Sequence, residues 1–431
     1  MTYLTVDIAP IPEGQGRLRL RCGLKTRENA RLRLEISSTP ELDRGACAGI
    51  EKLAVAGRKI SVGEELVPDA GVLEYAYEAV VPRLDPQRSN LLTGFAWEGT
   101  AWATLSAVIL LPAPRPPRLT VKLRPGAGIV LPGEEGASTS GISQDLSERD
   151  LRRSLALWGG FDVEGPFHVP GGRLFVPPDL RDDIAALRSV LVRLFSFEAF
   201  GSVTYALFPL LPPVGKGGFA GAGLAGRGCV CLFTPENFRE MDRHGLLWLA
   251  SHELAHLWLG VSVRAGETGL DWFVEGMAAY FALLAMRRCR AADEPFLAGM
   301  LAVSLQRLAH AGKDRRAGGG ESANRAMHEG LLLAVLVGAE LHAAGRTTLE
   351  SAVGRLVRDR REKGEDLTMT AIREALESTG STFAMQALER LSRGDAILSP
   401  ETVDRLHSLA RDMPSSGIPR EIRGLIKPLS G

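Results

Sequence analysis

At 431 residues, with 45% hydrophobic and 24% charged side chains, the chain is long enough to bury a sizeable core, and its length favours two or three domains over one. Lys plus Arg and Asp plus Glu balance at 51 each, so no global field draws the protein to nucleic acid or to an acidic membrane surface. The N-terminus lacks a basic region followed by an apolar one, and no apolar run reads as a membrane span; with five sparse cysteines suited to reduced thiols, a cytoplasmic protein without nucleic-acid or membrane partners is expected.

From Leu4 to about Leu111 short alternating stretches such as Arg17-Leu18-Arg19-Leu20-Arg21 are broken by Gly and Pro turns, which predicts a β-rich domain. The proline-rich run from Pro112 to Pro117 reads as a linker or a stiff strand connection. Strands are expected over Leu119–Leu123 and His168–Val176, and then an amphipathic helix over Leu180–Phe195. A strand at Val203–Leu207, a Gly-rich loop from Gly215 to Gly228 and a strand at Cys229–Phe233 follow. From Leu246 onward the pattern is helical, with Gly260 closing the first helix, an apolar helix over Leu331–Ala344, and Thr347-x-x-Glu350 capping the next. Internal repeats are not visible.

The chemistry concentrates in Ser251-His252-Glu253-Leu254-Ala255-His256-Leu257-Trp258, where two histidines lie four residues apart and share one helix face. Imidazoles one turn apart can reach a single tetrahedral Zn2+ ion, and Glu253 projects beside them, placed to act as general base on a metal-bound water. The flanks are apolar, so two histidines and a carboxylate would be buried at a cost unless a cation satisfies them. A third ligand is available in Glu275, eighteen residues beyond His256 and alone among apolar neighbours in Trp272-Phe273-Val274-Glu275-Gly276-Met277. Three protein ligands leave one position for water, the catalytic rather than the structural arrangement.

With these residues in place the chain resembles the gluzincin aminopeptidases, both the aminopeptidase N-like family and the bacterial glycyl-aminopeptidases. The likeness extends to Glu329-Gly330-Leu331-Leu332-Leu333-Ala334 and spans about Leu155 to Asp395. It implies an α+β protein: a β-rich N-terminal domain (1–154), a thermolysin-like zinc metallopeptidase domain (155–310) with a small sheet over the zinc helix, and a helical C-terminal lobe (311–431). It also implies one zinc ion on His252, His256 and Glu275, Glu253 as catalytic base, and a peptide or peptide-like substrate.

Two departures bear on activity. Where these families carry a glutamate that grips the substrate's free amine, the matching stretch Gly221-Ala222-Gly223-Leu224-Ala225-Gly226 has Ala225. Where they carry the tyrosine that stabilises the oxyanion, this chain has Met327, with His328 adjacent as a substitute after a small register shift. The expectation is a zinc-dependent metallopeptidase-like hydrolase of peptide or amide bonds. The alternatives are a zinc-binding pseudoenzyme that binds a peptide or protein, and a specialised biosynthetic hydrolase of a modified or N-blocked substrate.

Other signals are weaker. Gly221 to Gly226 formally matches a dinucleotide fingerprint, but a strand rather than a helix is expected after it. Cys229-Val230-Cys231 reads as core packing rather than a chelator, the basic run Arg355–Lys363 as a solvated helix end, and His310, His342 and His407 as structural or exposed residues.

Overall fold

In a computed structural model of the protein, residues 2–11, 16–26, 31–36, 49–68, 71–83, 94–97, 100–114, 116, 119–127, 129–132, 144–151, 153–170, 178–211, 222–235, 243–311, 319–411, 422–423, 425 and 427 are described. The chain divides into two compact units. One comprises Met1–Val176, Phe200–Pro212 and Leu224–Glu236; the other comprises Pro177–Ala199, Pro213–Gly223 and Asn237–Gly431.

The N-terminal unit is β-rich, as the alternation predicts. Its seven-stranded sheet runs in the order Gln144–Ser147, Leu119–Pro125, Thr2–Pro10, Arg17–Lys25, Val72–Val80, Gly49–Val55, Arg58–Lys59. Along Arg17–Lys25 the residues Leu18, Leu20, Cys22 and Leu24 are buried while Arg19, Arg21 and Lys25 face solvent. Period two sets the register, which pairs Leu20 with Tyr77 and Cys22 with Tyr75. Both tyrosine hydroxyls are buried and satisfied: Tyr75 donates to the Leu110 carbonyl (2.8 Å), and Tyr77 donates to the Val108 carbonyl (2.9 Å) and accepts from the Leu110 amide (2.8 Å). They anchor a buried run that begins with the single-turn helix α1 (Leu105–Val108). The proline-rich segment is partly strand, since Leu110–Ala113 pairs with Arg33–Ile36 and places Pro112 opposite Leu34. A second single-turn helix, α2 (Glu148–Leu151), follows the strand Gln144–Ser147.

The other larger sheets are a four-stranded one (Ile129–Val130, Leu155–Gly159, Thr100–Thr104, Gly94–Trp97) and a five-stranded one (Phe161–Glu164, Phe167–Pro170, Thr204–Leu211, Cys229–Pro235, Ala222–Gly226), of whose last strand Ala222 and Gly223 count with the C-terminal unit. The central strands of the latter are parallel and near-continuously apolar, with Tyr205 to Phe208 and Val230 to Phe233 buried. Phe95 meets Phe208 at 5.5 Å and Trp102 meets Phe233 at 5.8 Å between ring centroids. These ring contacts join the two sheets. Cys229 and Cys231 are fully buried, 4.0 Å apart at sulfur.

One expectation is corrected here. Of the predicted Gly215–Gly228 loop, Ala222–Gly226 is an edge strand, and the part up to Gly221 lies outside the described residues. Glycine has little strand propensity, so only the pairing beside Cys229–Pro235 makes this a strand.

The C-terminal unit is helical: α3 (Pro178–Phe195), α4 (Arg243–His256), α5 (Asp271–Arg288), α6 (Glu294–Ala311), α7 (Gly319–Ala343), α8 (Leu349–Lys363), α9 (Met369–Glu377), α10 (Thr382–Ser392) and α11 (Pro400–Arg411). Helices α5 and α7 cross at backbone contact. A Cβ on Gly276 would lie 2.4 Å from the Gly330 Cα, and one on Gly330 would lie 1.8 Å from the Trp272 carbonyl oxygen. The stretch Arg325–Ala343 of α7 is long and apolar enough to cross a membrane by composition, contrary to the expectation from sequence; 67% of that window is buried within the protein, as in a core helix.

Two helix boundaries also differ from expectation. Helix α8 is capped by Thr348, whose hydroxyl accepts from the Ser351 amide, one residue later than the predicted Thr347 box. Glu350 pairs instead with Arg288 at 3.1 Å. Helix α4 ends at His256, and Gly260 (φ +101°) sits in the turn beyond it, donating its amide to the Val263 carbonyl.

Candidate metal centre

Helix α4 is buried almost all round, from Gly245 to Ala255, so its polar residues are held among apolar side chains. His252 and Glu253 are each 6% exposed. One turn after His252, the Nε2 of His256 lies 3.1 Å from the Nε2 of His252. Helix α5 delivers the partly exposed Glu275, whose Oε2 is 3.2 Å from the His256 Nε2 and 3.5 Å from the His252 Nε2. Among the described residues this is the group of three His, Cys, Asp or Glu side chains whose ligand atoms converge closely enough to hold a metal ion.

The protons decide what such a cluster needs. His256 Nδ1 is 3.1 Å from the Leu259 carbonyl, which only accepts, so Nδ1 carries a proton and the neutral ring presents a lone pair at Nε2. That lone pair faces another imidazole and a carboxylate. A proton on His256 Nε2 can serve one facing acceptor at a time, whereas a metal ion accepts from all three. The three separations of 3.1, 3.2 and 3.5 Å lie near the edge of a zinc tetrahedron, about 3.3 Å for bonds of about 2.05 Å. The donor set therefore fits zinc.

Electrostatics point the same way. Burial opposes charge on His256, but the Glu275 carboxylate, aided by the charge of Glu253, pushes its pKa up to about 9. Burial likewise opposes ionisation of Glu275, yet the two imidazoles hold it well below the usual carboxylate range. The site favours a cation between its acid and its bases.

Glu253 lies against Gly223, the glycine preceding Leu224 in the edge strand. A Cβ at residue 223 would fall 2.3 Å from the Glu253 Cγ and 2.6 Å from its Oε1, so only glycine lets the backbone come this close. Ala225 is buried. Met327 is half-buried on α7. His328 is turned to α6: its Nδ1 is 3.1 Å from the Ser304 Oγ, which spends its own proton on the Met300 carbonyl. Burial and the nearby charge of Arg307 bring the His328 pKa down to about 4. The neutral ring thus donates from Nδ1 to Ser304 and keeps a lone pair on Nε2, the wrong polarity for an oxyanion donor. The His310 side chain lies outside the described residues, and His342 is exposed.

Sequence reading brought His252, His256, Glu275 and Glu253 to one place but missed three features around them: the Leu259 carbonyl, Gly223, and Trp248. The last stacks on His252 with ring centroids 5.3 Å apart. Its position one turn before His252 was the available signal.

No protein-family profile matches the chain, and no curated protein matches it in sequence. Solved structures do match in fold. An aminopeptidase N family protein from Idiomarina loihiensis superposes with a TM-score of 0.67 at 16% identity, covering 90% of this chain and 75% of that one. An M1 zinc metallopeptidase variant from Deinococcus radiodurans, bound to a Tyr-Ser-Ala substrate, gives 0.57 at 16% identity and covers 92% and 94%. A two-domain M1 zinc metallopeptidase variant bound to L-tryptophan gives 0.52 at 16% identity, covering 93% and 94%. The β-rich N-terminal part and the helical C-terminal part of this chain thus have the fold of the M1 zinc metallopeptidases.

Proposed function

We propose that the protein is a zinc-dependent metallopeptidase-like hydrolase of peptide or amide bonds, with one zinc ion on His252, His256 and Glu275. The observation that carries this reading is the convergence of two imidazole nitrogens and a carboxylate oxygen at tetrahedral-edge spacing. Zinc in that position would polarise a scissile carbonyl and acidify water. Glu253 takes a proton from the attacking water on its carboxylate and passes it to the departing amine nitrogen. Glu253 is buried, and the backbone of Gly223 packs directly against its side chain.

Ala225 and the orientation of His328 favour a second reading, in which the same zinc site binds a peptide without cleaving it. They also fit a substrate that has no free amine to be gripped. A peptide-library assay with N-free and N-blocked members, run on zinc-loaded protein, separates these readings. Glu253→Gln should keep its zinc and lose about 10²- to 10⁴-fold in cleavage rate. Undiminished hydrolysis by that variant would remove Glu253 from the chemistry, and binding without any cleavage by the parent protein would leave the binding module.

A further inference from the structure

The two histidines are held by different means. His256 follows the usual pattern for a ligand, its second ring nitrogen engaged by a backbone carbonyl that fixes ring orientation and tautomer. His252 does not. Its Nδ1 is buried and has no hydrogen-bond partner among the described residues. What holds the ring is Trp248, one turn earlier on the same face of α4, with its indole nearly parallel to the imidazole (25°). On the other side His256 meets it edge-on, with centroids 4.6 Å apart and planes at 89°. Trp248 is itself buried, so it cannot swing away without opening a void.

We propose that Trp248 is a positioning residue for the metal, taking the place that a hydrogen-bond acceptor on Nδ1 would fill for His252. The inference rests on the zinc reading of the site. Stacking fixes the plane of the imidazole without a polar contact to Nδ1. The hold on the His252 ring therefore depends on a flat aromatic surface at residue 248 rather than on a polar contact. The requirement is for shape: phenylalanine retains a face against the ring, and alanine removes it.

Zinc affinity, read by competition with a chromophoric chelator, tests this without reference to activity. Trp248→Phe should bind zinc within about threefold of the parent, and Trp248→Ala should lose about 10- to 100-fold, the range for loss of a group that orients a ligand. Leu246→Ala, a cavity on the same helix, controls for stability and should leave affinity unchanged. Circular dichroism checks that each variant is folded, and if Trp248→Ala is not, the Phe variant and a Trp248→Leu variant carry the test, with Leu expected to behave like Ala. A second readout is optical: Cu2+ should quench indole fluorescence less in Trp248→Phe than in the parent, because the indole contacting the ligand ring is gone. If the parent binds no zinc, the metal site itself is refuted. If the parent binds zinc while Trp248→Ala and Trp248→Leu bind it equally well, the site stands and the role of Trp248 falls.

Discussion

Each unit buries a compact set of polar side chains, and the two sets are treated in opposite ways. In the N-terminal unit the hydroxyls of Tyr75 and Tyr77 each find a backbone carbonyl, Tyr77 also takes an amide, and the neighbouring Cys22 thiol is pushed by burial up to about 12. Both tyrosine protons have a destination within the protein. In the C-terminal unit His252, His256 and Glu275 turn two imidazole nitrogens and a carboxylate oxygen on one another, and Glu253 adds a further acid beside them. A polar group buried for architecture is completed by its own chain, as unpaired burial is costly. In the second cluster two imidazole nitrogens and a carboxylate oxygen converge within metal-binding reach, which makes it, and not the first, the candidate for a ligand.

The largest expected effect breaks the frame of the second cluster. Gly330→Ala drives a methyl into the Trp272 carbonyl, on the helix that carries Glu275, and should cost about 3 kcal/mol or more in urea unfolding. Gly23→Ala in the N-terminal sheet, where a Cβ meets nothing within 4 Å, should stay within about 0.5 kcal/mol. Equal costs for the two variants would mean that the α5 and α7 backbones are not in contact.

A smaller effect separates the clusters by their response to metal. Tyr77→Phe leaves the Leu110 amide and Val108 carbonyl without their partner, at a cost of about 1–3 kcal/mol. It should nevertheless leave intact the stabilisation gained from zinc and reversed by EDTA, about 2.7 kcal/mol at a hundredfold excess over Kd. A zinc response that shrinks in Tyr77→Phe would contradict the separation of the two sets.

The smallest effect is a slope with pH. His328 has a folded pKa of about 4, below its ordinary value of 6.5, so the unfolded chain takes up that proton first as pH falls. The contribution of the neutral ring is present above pH 6.5 and is lost on descent toward pH 4. His328→Gln should flatten stability against pH over this interval while zinc binding at pH 7.5 stays unchanged. An identical slope in the variant would return His328 to the solvent.

Much of this was legible because it is local. Two histidines four apart on an apolar helix share a face whatever surrounds them, and Leu18, Leu20, Cys22 and Leu24 declare a half-buried strand by period alone. What escaped was set by distant partners. Ala222–Gly226 is a strand only because Cys229–Pro235 offers it an edge, and Pro112 sits in a strand by pairing with Leu34. Gly260 was a sound stop signal, yet α4 stops at His256, and the turn that follows carries the carbonyl that meets the His256 ring. The convergence of these side chains could be guessed from spacing; their partners could not, since a backbone carbonyl and a stacked indole leave little mark in a residue pattern.

The meeting of Gly276 with Gly330 has a consequence for how such a protein can diverge. At that crossing each helix is confronted by the other's main chain, so no choice of neighbouring side chain can make room for a larger residue. A descendant carrying alanine at residue 330 must have moved α5, and with α5 it moves Glu275. Change at this inconspicuous point of the lineage would therefore be read out at Glu275, some way from where the mutation fell.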